Sequence, residues 1–448
     1  MAPITREQRF PAVLFPALIS AERLYRYAQK AVGILKEPLL WPMILLFLPK
    51  INLLGFRNET AGIRLDDIVL MMIAGCWVVD WIGRLELTIE PVPLAGFTVV
   101  CLFCLSNLVN SGMGHSSFLY SFRLAEYMIF FWSGKYLLRR GYDFDLLVKA
   151  LILLNFAVTV LQYAGLIGGF ATLGYESDVG RPYGLSANHP AEMGALINLL
   201  YAALVFGDNR IKFWRWSLLV GVFAFLTGSR SSLLAHFVLM LIYIYRHSKN
   251  KPSFVIKTAV IAAIPVAVLI AVPNNITSRS ADLFSFQNVD TFRDVYNSIP
   301  VDRQFADVSE GGAPEDSPEG VDISWYMRGY KWAEVVKTMS AQPWTIWILG
   351  VGPGGIGIAL DGGWLRLIVE TGIVGSFAFL YLLRRISRLG AACSMAVFAL
   401  AVNMVMIDSH LAYKVMAFLF FLAGTQVQIQ LERSTTGNLN THSRLGTT

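Results

Sequence analysis

Between Trp325 and Gly375 the chain reads WYMRGYKWAEVVKTMSAQPWTIWILGVGPGGIGIALDGGWLRLIVETGIVG. Arg328 lies in an amphipathic first half, a glycine-rich turn runs from Gly350 to Gly357, and Asp361 stands at the lip of a long apolar run. A guanidinium holds an anionic group, a glycine turn lets backbone approach it, and a carboxylate can take up a proton. Two further arginines have the same flavour: Arg181 in GRPYGLSANHP and Arg230 in LTGSRSS. Guanidinium forks match phosphate oxygens better than lysine does, so Arg181, Arg230 and Arg328 converging on one spot would bind a diphosphate without a metal. The plainer reading pairs each with a local carboxylate such as Glu176, Asp178 or Asp322. Asp361 has a plainer reading too, as the N-cap of the helix it precedes. His189 and His410 are alternative bases, although His189 precedes Pro190 at a helix start and so suits capping or packing.

Other patterns carry less. The glycines match G-x-G-x-x-G twice, at Gly350/Gly352/Gly355 and Gly352/Gly354/Gly357, but neither the strand–helix context of a dinucleotide site nor the Lys-Ser/Thr of a P-loop is present. Cys101 and Cys104 form a C-x-x-C within an apolar run, with no second pair nearby, and read as packing rather than metal or redox chemistry. Arg123 and Glu126 share a helix face and read as a buried ion pair. Asp66, Asp67 and Asp80 frame an apolar segment, as arginine partners or as markers of a pathway.

The elements that must position these residues are membrane helices. The 448-residue chain is 55% hydrophobic and 15% charged, with mean hydropathy +0.53. Soluble chains carry about 25% charged residues. Segments long enough to span number about twelve by the 20-residue rule: 39–56, 65–83, 92–110, 117–138, 146–168, 189–207, 213–228, 230–245, 255–273, 362–383, 390–408 and 411–428. With both termini in the cytoplasm, the inner connections hold Arg139, Arg140, Arg210, Lys212, Arg246, Lys249, Lys251, Arg384, Arg385 and Arg388, as the positive-inside rule requires. The net charge of +6 thus belongs to one membrane side, and nucleic acid is not its reason. In this topology Arg181, Arg230 and Arg328 lie on the outer face, where that bias disfavours them.

The expected organisation is a basic cytoplasmic segment at 1–37, nine spans within 38–273, a large outer loop at 274–361, three spans within 362–428 and a cytoplasmic tail at 429–448. Residues 21–35 suit a short interfacial helix, and the absence of a continuous apolar run before a small-residue site argues against a cleavable signal peptide. In the large loop, 281–299 and 325–340 have helical apolar spacing. The acidic, Gly- and Pro-rich stretch 308–320 reads as a solvated linker, and the polar residues after Gln428 as disordered. The fold class is an all-α polytopic membrane protein whose large loop contains short helices.

At four places the residues resemble the O-antigen ligase and polymerase superfamily of bacterial envelope glycosyltransferases: GRPYGLSANHPAEMGALI, LTGSRSSLLA, RGYKWAEVV leading to ILGVGPGG, and DGGWLRLIVETGIVG. The resemblance covers roughly 60–428. It implies an inner-membrane enzyme with an outer loop over a cavity, acting on an oligosaccharide repeat linked to undecaprenyl pyrophosphate. It also implies arginines matching Arg181, Arg230 and Arg328 on the pyrophosphate, no cofactor or metal, and as partners a chain-length regulator and a flippase of the same pathway. Ligases of this superfamily have a histidine where Asp361 stands here, followed by Gly362. That departure favours a polymerase over a ligase that transfers glycan to lipid A core or protein. A third reading, a flippase of such lipids, would predict inverted repeats and paired broken helices; no internal repeat is evident.

Overall fold

The computed structural model describes residues 37, 40–49, 52–56, 61–84, 90–111, 115–170, 181–207, 213–248, 256, 287–299, 323–356 and 360–445. In chain order these form α1 (Trp41–Leu45), a hairpin of β1 (Asn52–Phe56) and β2 (Ala61–Arg64), α2 (Leu65–Arg84), α3 (Pro91–Ser106) ending in a π turn (Asn107–Ser111), α4 (His115–Arg139) and α5 (Phe144–Tyr163). Then come α6 (Pro190–Val205), α7 (Phe213–Leu226), α8 (Arg230–His247), α9 (Gln287–Ser298), α10 (Ile323–Ser340), α11 (Trp344–Leu349), α12 (Gly363–Ser387), α13 (Ala391–Asn403) and α14 (Tyr413–Leu445).

Among the described residues, four helical stretches are long and apolar enough to cross a membrane: Pro91–Asn110, Phe144–Tyr163, Gly363–Ser387 and Tyr413–Ser434. Pro190–Val205, Phe213–Leu226 and Ala391–Asn403 are shorter apolar helices. Helices α2 and α4 reach 20 and 25 residues but carry more charge. Twelve full spans are therefore more than the structure supports. The expected span 39–56 is a correction: only Trp41–Leu45 is helical there, and Asn52–Phe56 pairs antiparallel with Ala61–Arg64. Pro49 and Gly55 suit a break and a hairpin better than a continuous helix. The chain nevertheless goes out and comes back. Glu37 meets Tyr136 and Arg140, and Glu90 meets Lys135, all at the C-terminal end of α4. The candidate 255–273, apart from Ile256, the N-terminal segment and the stretch 308–320 lie outside the described residues. The tail is a second correction: α14 runs on through it to Leu445 rather than ending near Gln428. Extending an existing helix adds one bond per residue with no new nucleus, and Gln428 bonds Glu432 one turn on.

The core is built on α6 and α14. From Met193 to Val205 every residue of α6 is buried, as is every one from Tyr413 to Thr425 in α14. Helices apolar all round are placed centrally for that reason. Helix α14 crosses α4 with backbones in contact: Gly134 lies against the Phe421 carbonyl and Gly424 against that of Phe131, so neither has room for a side chain. Two expected loop helices form, as α9 and α10, and they pack together through Val295, Ile299 and Ala333.

Helix α12 is broken. Gly372 sits at φ 63°, ψ −172°, and Gly350 opposite it at φ 79°, ψ 175°, a region open essentially to glycine alone. The break frees carbonyls that α12 would otherwise use. Val351 N donates to Val369 O at 2.9 Å and Gly352 N to Glu370 O at 2.8 Å, so the glycine turn lies like a short strand along the unwound helix. Ser106 and Asn110, at the end of α3, donate to Gly350 O at 3.2 and 2.6 Å. A Cβ at Gly372 would run into Ile348 O. Gly372→Ala should therefore destabilise the protein by at least about 1–3 kcal/mol from backbone strain alone. Thermal unfolding in detergent would show it, with Gly75→Ala, which meets nothing within 4 Å, as the neutral control.

Candidate functional site

The N-terminal half of α12 carries a buried ion cluster. Arg366 Nε donates to Glu370 Oε1 at 3.0 Å, Nη1 to Asp408 Oδ2 at 3.0 Å and Nη2 to the Ile356 carbonyl at 2.9 Å. The i, i+4 spacing of Arg366 and Glu370 puts them on one face. Glu370 Oε1 also accepts from Gly354 N at 3.2 Å, which ties the glycine turn to the helix. Asp408, in the turn between α13 and α14, accepts from the backbone N–H of Leu360 at 2.9 Å and of Gly362 at 3.2 Å. One guanidinium thus pins both the glycine turn and the bend leading into α12. Burial would raise the Asp408 carboxyl, but Arg366 and His410 outweigh it and the net displacement is downward.

Asp361 stands at the apex of that bend with φ 53°, the only non-glycine at positive φ among the described residues. It does not cap α12; the capping position is Gly362 and no side chain fills it. The Asp361 carboxylate instead faces α10. Its Oδ2 is 3.6 Å from Arg328 Nε, longer than a hydrogen bond, and both side chains are about a third exposed. Trp332, one turn along α10 from Arg328, donates its indole N–H to Leu360 O at 3.0 Å and fills the space beside Gly362. Burial raises the Asp361 carboxyl above its ordinary value despite the nearby charges of Arg328 and Lys331, and Asp408 adds to the rise.

The other two arginines come from the segment before α6 and from the start of α8. The segment after Arg181 is strapped to α5: Gln162 Oε1 accepts from Tyr183 N and Gly184 N at 3.1 and 2.9 Å, and Asn155 Oδ1 from Leu185 N and Ser186 N at 3.0 and 2.8 Å. Arg181 then lies across the turn between α7 and α8, where a Cβ on Gly228 would stand 3.4 Å from its Nε. Arg230 opens α8 two residues further on. His189 caps α6, its Nδ1 accepting from Ala191 N at 3.1 Å. Its pKa is pushed down to about 4, first by burial and then by the positive charges of Arg181 and Arg328. That electrostatic coupling puts Arg181 and Arg328, 147 positions apart in sequence, around one histidine, and Arg328 leads on to Asp361.

The remaining candidates sit elsewhere. His410 is buried beneath the bend, beside Gly363 and the Phe379 ring; burial pushes its pKa down to about 4 although Asp408 opposes this. The Arg123–Glu126 pair is corrected. Glu126 binds Arg64 at 2.9 Å, and Arg123 lies over the Tyr120 ring at 4.1 Å. Arg64 emerges from β2 into the core, where it also meets Asp67 at 2.6 Å and Asp66 at 3.8 Å. Asp66 and Asp67 are thus arginine partners, while the Asp80 side chain lies outside the described residues. Sequence reasoning passed over Arg366, Glu370, Asp408, Asn155 and Gln162. All but Asp408 are polar groups inside apolar runs, and that cost is a signal that could have found them.

Residues 216–380 match a family model described as O-antigen ligase. The matched stretch, a little over a third of the chain, is thus similar to that family, and it takes in Arg230, Arg328, Asp361, Arg366 and Glu370. No curated protein matches the chain.

Asp408→Asn would remove one of the two carboxylates paired with Arg366. Removing one partner of a buried pair costs about 3–5 kcal/mol, so the variant should melt well below the parent at pH 7. Because the folded carboxyl lies below its ordinary value of 3.8, its contribution is present above that value and is lost as pH falls through the lowered one. The gap in melting temperature between parent and variant should therefore close on acidification.

Proposed function

We propose that this chain joins oligosaccharide repeats carried on undecaprenyl pyrophosphate at the outer face of the bacterial inner membrane, as a polysaccharide polymerase. One observation carries the reading: the charges of Arg181 and Arg328 both act on His189, Arg328 also faces the Asp361 carboxylate at 3.6 Å, and Arg181 lies beside the Gly228 turn from which Arg230 starts α8. In the reaction an acceptor sugar hydroxyl attacks the anomeric carbon of the donor repeat. The new C–O bond forms as the bond to the diphosphate breaks, and the electron pair leaves on the diphosphate oxygen.

Arg181, Arg230 and Arg328 stabilise that growing charge. The contact of Arg328 with Asp361, about a third exposed on both sides and longer than a hydrogen bond, lets an incoming diphosphate displace the carboxylate. Asp361, released and already less acidic than usual, then accepts the hydroxyl proton. His189 is a poor base beside it, because its acceptor nitrogen is engaged by Ala191 and its pKa is only about 4. Holding both lipid-linked substrates in one plane lowers the entropy cost of their meeting. Helix α10, which carries Arg328 and Trp332, covers the bend from outside.

The description of the matching family favours a second reading, transfer of the glycan to a non-repeat acceptor such as lipid A core. The acceptor decides between them. Lipid transport without chemistry is the third reading, and the single break in α12 gives it some structural footing.

Purified chain reconstituted with one defined lipid-linked repeat should lengthen it without an energy source. Transport alone would leave every repeat single, and a ligase would act only when a core acceptor is added. Arg328→Ala and Arg230→Ala should abolish elongation with the protein still in the membrane; unchanged product length in both would overturn the site. Asp361→Asn should slow elongation by at least about 10²-fold, while His189→Gln keeps most of it. The parent rate should fall on the acid side with an inflection above 3.8, the ordinary Asp value, and Asp361→Asn should lack that limb.

A further inference from the structure

A cavity of about 400 Å³ lies at the end of the helix bundle away from Asp361. Helix α12, broken at Gly372, takes 25 residues from Gly363 to Ser387 and is long and apolar enough to cross a membrane. Its last turn and cap bring Arg385 and Arg388 to the cavity, and the start of α3 brings Glu90. The walls beyond them are apolar: Val92, Phe131, Val427 and Leu431, with Leu389 closing one side. Gln430 fixes that side by donating to Leu389 O at 2.6 Å.

The charges there do not cancel. Glu90 is already engaged by Lys135. Among the described residues neither Arg385 nor Arg388 has a carboxylate at ion-pair distance, and Arg385 lies 5.9 Å over the Tyr381 ring. A greasy cleft with two guanidiniums at its rim, at headgroup depth, matches a molecule with an anionic phosphate and a hydrocarbon chain. Basic recesses between membrane helices recognise anionic lipid headgroups in this way, and guanidiniums suit a phosphodiester.

We infer that this cavity binds an anionic glycerophospholipid of the leaflet opposite the Asp361 site, its phosphate between Arg385 and Arg388 and an acyl chain along Phe131, Val427 and Leu431. The bound lipid wedges α12 against α3, α4 and α14, the helices whose residues line the cavity. It thereby braces the far end of the broken helix whose near end carries the Arg366 cluster.

The test uses the full chain, stripped of lipid in neutral detergent and titrated with phosphatidylglycerol, phosphatidylcholine or glycerol 3-phosphate. Lipid retention is read by native mass spectrometry and stabilisation by melting temperature. Phosphatidylglycerol should be retained and should raise the melting temperature, whereas the other two should do neither. The double variant Arg385→Gln/Arg388→Gln should weaken retention by roughly tenfold or more. Arg384→Gln, which removes a charge from the same helix end but not from the cavity wall, should change little. Leu431→Trp keeps both guanidiniums but fills the apolar part, and it too should lose the lipid. Unchanged retention in Leu431→Trp would reduce the effect to surface charge, and equal binding of glycerol 3-phosphate would make this a free-phosphate site; either overturns the inference. If the double variant does not fold, Leu431→Trp with Arg384→Gln decides alone.

Discussion

The architecture around Asp361 depends on one buried guanidinium. Arg366 is 6% exposed and reaches two carboxylates and a backbone carbonyl from a single side chain. Taking a charge out of water costs several kcal/mol, and only a full set of partners repays it. Those partners are what make the site rigid. Glu370 brings the glycine turn through Gly354, Ile356 offers its carbonyl directly, and Asp408 holds the two N–H groups that flank Asp361. Asp361 can occupy a left-handed conformation because both neighbours are fixed from below.

The broken helix follows from the same constraint. An intact α12 would use the carbonyls of Val369 and Glu370 internally, and the N–H groups of Val351 and Gly352 would lose their acceptors in a region where water is scarce. Unwinding at Gly372 gives those carbonyls to Val351 and Gly352, while Gly354 N donates to Glu370 Oε1 and Gly355 N to Gly352 O. The closeness of Gly350 and Gly372 leaves no space for side chains. Irregular backbone at membrane depth therefore survives here by being enclosed. The bend that follows at Leu360 is met by Trp332 of α10.

Arg64 repeats the logic with less connection to the site. It draws Asp66, Asp67 and Glu126 into the core and lies 4.6 Å over the Tyr413 ring at the start of α14. The hairpin before it is thereby fastened to α4 and α14. The first apolar segment fails to become a continuous helix in a chain where the next apolar runs do, and a cation that must be delivered to a buried acidic cluster accounts for the short strand that carries it.

By itself the sequence determined the solvent: few charges and long apolar runs leave a bundle of membrane helices as the answer, because unpaired backbone is too costly in lipid. It also marked Arg181, Arg230, Arg328 and Asp361, since a cation near hydrocarbon and a glycine turn before a span are local and visible. Periodicity could not tell that 39–56 breaks into α1 and a hairpin, because a short apolar run suits a strand as well as a helix. Nor could spacing assign Glu126 to Arg64 rather than to Arg123, three residues away, since ion pairing in a core is decided by which helices meet. Arg181 and Arg328 are brought around one histidine only when α5, α6 and α10 are packed, and Asp408 finds Asp361 only across the closing turn of two later helices. Those relations are long-range, and folding sets them because each buried charge must be matched wherever in the chain its partner lies.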